Sequence, residues 1–287
     1  MAQHQSSSPL GAQAAYWNSP ASRAWADHHD RQDRALADLA EAALGRAAPQ
    51  PGERVLDIGC GSGTTVLALA QRVGPTGHVQ GADIAAPSVA RARERIAAAG
   101  LQQAEVICAE VATHRFDPAV FDLVFSRLGV MFFEDPIAAF ANVHRAMKPD
   151  GRLALAVFRP AGENPWPSAP MAAVRHLLPP APPPSPDEPG MFSWGDRERA
   201  QRILETAGFR AISFTPADLE LRIAGAGGAV EATEFALMFG PLTRVLPDLP
   251  TEQQEAVRSA LEAFFQNHVT PRGVALPSAF WLVEARA

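Results

Sequence analysis

Arg54-Val55-Leu56-Asp57-Ile58-Gly59-Cys60-Gly61-Ser62-Gly63 constrains this chain more than any other stretch. It reads as a short buried strand entering a glycine-rich turn, with a helical segment from Thr64 onward. Glycines at alternate positions let the backbone turn sharply and come close to a ligand, because no Cβ stands in the way. At the carboxyl end of a first parallel strand, such a turn is where nucleotide-like ligands sit. It is not a dinucleotide fingerprint: Thr64 stands where the third glycine would be, and an acid, Asp57, precedes the first. It also lacks the Gly-Lys-Ser/Thr of a P-loop, so the turn suits a nucleoside rather than phosphates. Asp83 follows 20 residues after Gly63, at the tip of the next apolar run, where an acid accepts hydrogen bonds from both ribose hydroxyls of an adenosine.

A strand–helix alternation surrounds this turn. Strands are expected at 55–58, 78–84, 104–109, 121–126 and 153–158, with helices between them. Pro87 stands in the first turn of one helix and Gly100 ends it; Asp135-Pro136 opens another. Apolar strands alternating with helices predict a parallel sheet covered on both faces. Eleven of the chain's 26 prolines fall between Pro160 and Pro189. The large apolar residues Trp166 and Met171 in that stretch, with Phe192 and Trp194 just after it, predict an ordered loop over the sheet rather than a linker, with a short helix only over 169–178. Helices over 196–207, 230–239 and 251–268, an extended run over 209–223 and a terminal strand over 279–285 complete the chain.

With 25 basic and 31 acidic residues the net charge is −6, which argues against a nucleic-acid binder relying on phosphate neutralisation. No run of 18 apolar residues exists, and the first residues lack the basic and apolar regions of a secretory signal. Cys60 and Cys108 are the only cysteines and read as small core residues, not a disulfide or metal pair. A cytoplasmic protein is expected.

The segment 55–63 resembles motif I of the class I S-adenosylmethionine-dependent methyltransferases, and Asp83 resembles the motif II acid. Glu110-Val111, Phe121 to Arg127 and Met147 to Leu153 resemble later motifs of the family, with Glu at 110 and Asp at 150 as departures from its usual Asp and Gly. The resemblance covers about residues 50–160 and is closest to the small-molecule branch that includes ubiquinone/menaquinone-biosynthesis methyltransferases. It implies a Rossmann-like seven-stranded α/β sheet, order 3-2-1-4-5-7-6, with an antiparallel last strand and a helical and loop cap. It also implies S-adenosyl-L-methionine as cofactor. The turn Gly59, Cys60, Gly61 and Gly63 would approach the methionine portion, Asp57 its ammonium and Asp83 the ribose. Ile84 and Val111 would sandwich the adenine, with Glu110 beside it, and Ser126 and Arg127 would line the methionyl side.

In this reading the chain divides into a helical cap segment (1–48), a cofactor-binding core (49–160), a Pro-rich cap loop (161–195), a continuation of the core (196–224), a helical insertion (225–275) and a terminal core strand (276–287). Tyr16, Trp17, Trp25, Phe132, Phe133, Trp166, Trp194 and Met238 are the candidate walls of an acceptor pocket, which would make the acceptor a small apolar or aromatic molecule. His28 is the candidate base for an acceptor that needs one, and no metal-ligand spacing is present. The rival readings are a nicotinamide-dependent oxidoreductase, which Asp57 and Thr64 weigh against, and a cofactor-binding regulator without turnover.

Overall fold

The structure is a computed structural model that describes residues 11–180 and 188–287, apart from the side chains of Ala21 and Arg244. Four short helices come first: α1 (Ala12–Trp17), α2 (Ala24–Asp27), α3 (His29–Ala35) and α4 (Ala37–Ala47). The helical run of this first segment is broken at His28 and at Leu36, whose backbones leave the helical region. The core then alternates β1 (Arg54–Ile58), α5 (Thr64–Val73), β2 (His78–Asp83), α6 (Ala86–Ala99), β3 (Ala104–Cys108), β4 (Phe121–Arg127), α7 (Pro136–Ala146) and β5 (Met147–Phe158). The remainder is α8 (Pro165–Val174), α9 (Arg197–Thr206), β6 (Arg210–Ala224), α10 (Gly228–Phe239), α11 (Thr251–Gln266) and β7 (Val274–Arg286).

The seven strands form one sheet in the order β3-β2-β1-β4-β5-β7-β6. The first five run parallel to one another, and β7 runs antiparallel to both β5 and β6. Strand order reverses between β1 and β4, so the loops leaving these strands splay apart and open a crevice at their carboxyl ends. Leu123, Val124, Phe125 and Ser126 are all fully buried, although successive side chains point to opposite faces; both faces of the sheet are therefore covered. α5 and α6 pack on β1–β3, α7 on β5, α9 on β6, and α4 across β4–β7.

Local chemistry sets the element ends. Asp135 accepts a hydrogen bond from the Ala138 amide at the start of α7, and Asp196 accepts from the Glu198 and Arg199 amides at the start of α9. Gly100 closes α6 in the left-handed region at φ 67°.

The Pro-rich segment departs from expectation. Its helix is α8, which begins four residues earlier than the expected 169–178 and contains Pro165, Pro167 and Pro170. The first two fall in the opening turn, where the missing N–H removes no helical bond. Asn164 anchors that turn: its buried amide donates to the Arg159 and Pro160 carbonyls and accepts from the Ala279 amide on β7. Residues 181–187 of the expected cap loop, and 1–10 of the cap segment, lie outside the described residues. Cys60 is buried as expected, whereas Cys108 is exposed because it ends β3 at the sheet's edge.

No helix among the described residues is long and apolar enough to cross a membrane.

Candidate functional site

A cavity of about 190 Å³ opens in the crevice between the carboxyl ends of β1 and β4. One end is polar and built from the glycine turn. Gly59 and Gly61 sit at φ 65° and 52°, conformations that glycine adopts without strain. A Cβ on Gly59 would meet the Gly129 Cα at 2.6 Å, so the turn lies backbone against backbone on the loop leaving β4. Asp83, at the end of β2, accepts from the Gly61 amide through Oδ2 and from the Ala85 amide through Oδ1, both at 2.8 Å. The acid at the second strand thus holds the turn after the first in shape. Burial pushes the Asp83 carboxyl up against these hydrogen bonds, and the charge of Glu110 adds to the rise.

Of the residues expected at a cofactor, Gly59, Cys60, Gly61, Asp83, Ile84, Glu110, Val111 and Arg127 line this cavity. Asp57, Gly63 and Ser126 are placed behind its surface. Gly63 faces α6, where a Cβ would meet Ala92 Cβ at 2.9 Å. Ser126 donates to the Ile58 carbonyl at 2.8 Å and accepts from the Gly129 amide, tying β4 to β1. Asp57 lies beneath the turn, where Thr65 Oγ1 donates to its Oδ2 at 2.5 Å while its buried Oδ1 has no hydrogen-bond partner.

Burial drives the Asp57 carboxyl from an ordinary 3.8 to about 7, opposed by the Thr65 hydrogen bond and the Arg127 charge. The folded protein therefore holds this proton more tightly than the unfolded chain. The resulting stability is complete below about pH 4 and is lost as the pH rises through about 7. In the ligand-free protein, Asp57→Asn should flatten that loss: Tm of the wild type should fall relative to the variant between about pH 5 and about pH 8. About 4 kcal/mol is the ceiling for a carboxyl moved from about 4 to about 7. Scanning calorimetry across that range checks this.

Arg127 ends β4 and lines the cavity. Its Nη1 is buried without a hydrogen-bond partner; burial pulls its pKa down, and the charges of Asp33 and Asp57 push it back up. Leu128, next in the chain and also at the cavity, is held at φ 65°, a strained conformation for a non-glycine residue.

The other end of the cavity is apolar. Of the candidate acceptor walls, Trp17, Trp25, Phe132, Phe133 and Trp166 line it. Tyr16, Trp194 and Met238 do not. Tyr16 is one residue, about 100° of helix, from Trp17, and its hydroxyl lies 3.4 Å from Thr243 Oγ1. Trp194 is core: it is 1% exposed and packs on Phe140 at 5.2 Å between ring centroids. On α10 it is Phe235 and Phe239, an i, i+4 pair on one face, that reach the cavity, while Met238 falls to one side. His28 is exposed and outside the cavity, at the break between α2 and α3 where its backbone leaves the helical region. No histidine among the described residues lines the cavity.

Phe158, Met191, Leu221, Gln32, Asp33 and Leu36 belong to the site without having been expected there. Only Phe158, the last residue of a strand on the crevice side, carried a positional signal. No group of three or more His, Cys, Asp or Glu side chains among the described residues is placed to hold a metal ion.

A doubly wound sheet of this order with a glycine cradle at β1 and an acid at β2 defines a class I methyltransferase fold. Residues 55–151 match the family described as "Methyltransferase domain". The chain is 36% identical over 152 residues, 50% of its length, to aklanonic acid methyltransferase DauC of Streptomyces sp. (strain C5), and covers 66% of that protein. It is 32% identical over 192 residues, 63% of its length, to nocamycin O-methyltransferase of Saccharothrix syringae, and covers 68% of it. The chain thus spans about two thirds of the length of these curated relatives. Its fold is shared with YcgJ protein from Bacillus subtilis, at a TM-score of 0.55 and 17% identity, over 88% of this chain and 97% of that one. The chain belongs to the small-molecule type of S-adenosylmethionine-dependent methyltransferases.

Proposed function

We propose that this protein transfers a methyl group from S-adenosylmethionine to a small apolar or aromatic acceptor by in-line displacement. One observation carries the reading: a single cavity runs from the Gly59–Gly61 cradle and Asp83 to a wall of Trp17, Trp25, Phe132, Phe158, Trp166 and Phe235. The names of the relatives, one an aklanonic acid methyltransferase and one a nocamycin O-methyltransferase, agree with a small-molecule acceptor.

The polar end suits the cofactor. Asp83 already fixes the turn and would hold the ribose; Ile84 and Val111 would flank the adenine, with Glu110 beside it. Arg127, with an unsatisfied Nη1, would face the carboxylate of the methionine portion, and Asp57, with an unsatisfied Oδ1, would attract its ammonium from beneath the turn. The bound cofactor supplies an activated methyl on a sulfonium. The chain's task is to align the acceptor with that methyl and to keep water away. The aromatic wall serves both, fixing a flat acceptor by ring contacts and presenting an apolar surface to the reacting centre, and its faces would also stabilise a nearby cation.

Phe132 is half-buried and lies edge-on to Trp17 at 5.1 Å, within the apolar end. Phe132→Ala should lower kcat/KM for an aromatic acceptor by about tenfold or more, the scale of one lost aromatic contact with its buried area. It should change S-adenosylhomocysteine affinity by less than about threefold. Steady-state kinetics alongside titration calorimetry separates the two. An equal loss in both would place Phe132 at the cofactor and sink its assignment to the acceptor.

A further inference from the structure

We propose that Asn18 and Asp33 are positioning residues that clasp the N-terminal helices over the cofactor cradle, so that cofactor binding and completion of the acceptor pocket are one coupled event. The proposal rests on the methyltransferase reading above.

The clasp has two points, one on each side of the glycine turn. At the first, Asn18, which closes α1, places its side-chain amide across the β2–α6 turn. Its Nδ2 donates to the Ile84 carbonyl at 3.0 Å, and its Oδ1 accepts from the Ala86 amide at 3.0 Å. These partners directly follow Asp83. At the second point, Asp33 on α3 accepts from Thr64 Oγ1 at 2.5 Å and from Arg95 Nη2 at 3.0 Å. Arg95 in turn donates through Nη1 to the Ser62 carbonyl at 2.8 Å and to Thr64 Oγ1 at 3.0 Å. Thr64, the residue that replaces a third glycine, is thereby the anchor of the N-terminal segment.

The Asp33–Arg95 pair is mostly shielded, with side chains 21% and 24% exposed. Charge-assisted bonds in such a setting outweigh the segment's more exposed ties, Arg34 to Glu231 at 3.5 Å and the Gln13 amide to Glu134 at 3.4 Å. Between and beside the two points lie the aromatics that the segment brings to the apolar end. Trp17 meets Phe132 edge-on at 5.1 Å, and Trp25 meets Phe239 edge-on at 5.2 Å. These walls exist only with the segment in place; the first clasp point sits on the backbone after Asp83, and the second holds Thr64 and, through Arg95, the Ser62 carbonyl of the glycine turn. A ligand that orders Ser62–Thr64 and Asp83–Ala86 therefore favours the clasped state, and the clasped state presents the acceptor walls. By linkage the acceptor tightens the cofactor by the same factor.

The test uses the full chain and its own tryptophans, since Trp17 and Trp25 report the segment. Release of S-adenosylhomocysteine is followed by stopped-flow fluorescence for wild type, Asn18→Ala, Asp33→Ala and the double variant, with Tm measured on each. 2-Naphthol serves as the probe of the apolar end, titrated with and without S-adenosylhomocysteine. Each single variant should speed release about tenfold. Asp33→Glu, which keeps both hydrogen bonds within reach, should stay within about threefold of wild type. In the wild type, S-adenosylhomocysteine should tighten 2-naphthol at least fivefold, a coupling of ordinary size, and the double variant should lose this. Should Asp33→Ala fail to fold, Asp33→Asn takes its place. Unchanged release rates, a wild type without coupling, or coupling that survives the double variant overturns the clasp. Failure of wild type to bind S-adenosylhomocysteine at all overturns the methyltransferase reading and the clasp with it.

Discussion

Gly59→Ala is expected to abolish measurable S-adenosylhomocysteine binding and to lower Tm, while Gly61→Ala, two residues on, does far less. Both glycines lie at positive φ, so each alanine carries the left-handed penalty of about 1–2 kcal/mol. They differ in their surroundings. The added Cβ at Gly59 meets the Gly129 Cα at 2.6 Å, and that contact is backbone, which has no rotamer to escape through. Gly129 is equally closed, since a Cβ there would meet the Ile58 carbonyl oxygen at 2.6 Å. Relief requires β1 and the loop after β4 to move apart, which opens the crevice at the point where the ligand is cradled. At Gly61 nothing lies within 4 Å of the added atom. Overpacking of about 1–3 kcal/mol on top of the shared strain is therefore specific to Gly59. Titration calorimetry and thermal unfolding on the pair check this, and equal losses in the two variants would contradict the packing argument.

Asp83→Ala should weaken S-adenosylhomocysteine by about 1–3 kcal/mol, the scale of lost hydrogen bonds to a charged group. Two effects combine. The variant loses the carboxylate available to the ribose, and it leaves the Gly61 and Ala85 amides without the acceptor they now have. Asp83→Asn separates these effects, because its amide oxygen still accepts one backbone N–H. It should recover part of the stability and little of the affinity. Calorimetry on both variants reads the difference, and an unchanged affinity in Asp83→Ala would remove the ribose assignment.

The core was legible in the sequence because the physics that shapes it is local. Val55–Ile58 is apolar and short, the glycines are closely spaced, and Asp83 falls at the tip of the next apolar run. Each of these features constrains the backbone wherever it occurs. The cap was not legible in the same way. Trp166 and Trp194 look alike in a Pro-rich stretch, yet one lines the cavity and the other packs on Phe140, a choice made by long-range packing. Tyr16 and Trp17 are neighbours on a helix whose facing is set by Thr243 and Phe132, more than 100 residues away. Asp33 sits among alternating charges in His29-Asp30-Arg31-Gln32-Asp33-Arg34, where a solvated helix face is the ordinary reading. Only its partners on the turn after β1 and on α6 set it apart. His28 shows the converse: its residue type suits a base, but it lies exposed at the break between α2 and α3, away from the cavity.

The most direct measurement of the central claim is acceptor-dependent methyl transfer. The purified protein would be incubated with methyl-labelled S-adenosylmethionine and a panel of fused-ring aromatic acids, phenols and amines, with labelled product and S-adenosylhomocysteine quantified by mass spectrometry. The account predicts labelled product from at least one acceptor, with one S-adenosylhomocysteine formed per methyl transferred, and its loss in Gly59→Ala. Tight binding of S-adenosylhomocysteine with no labelled product from any acceptor would contradict it and favour a cofactor-binding protein without turnover.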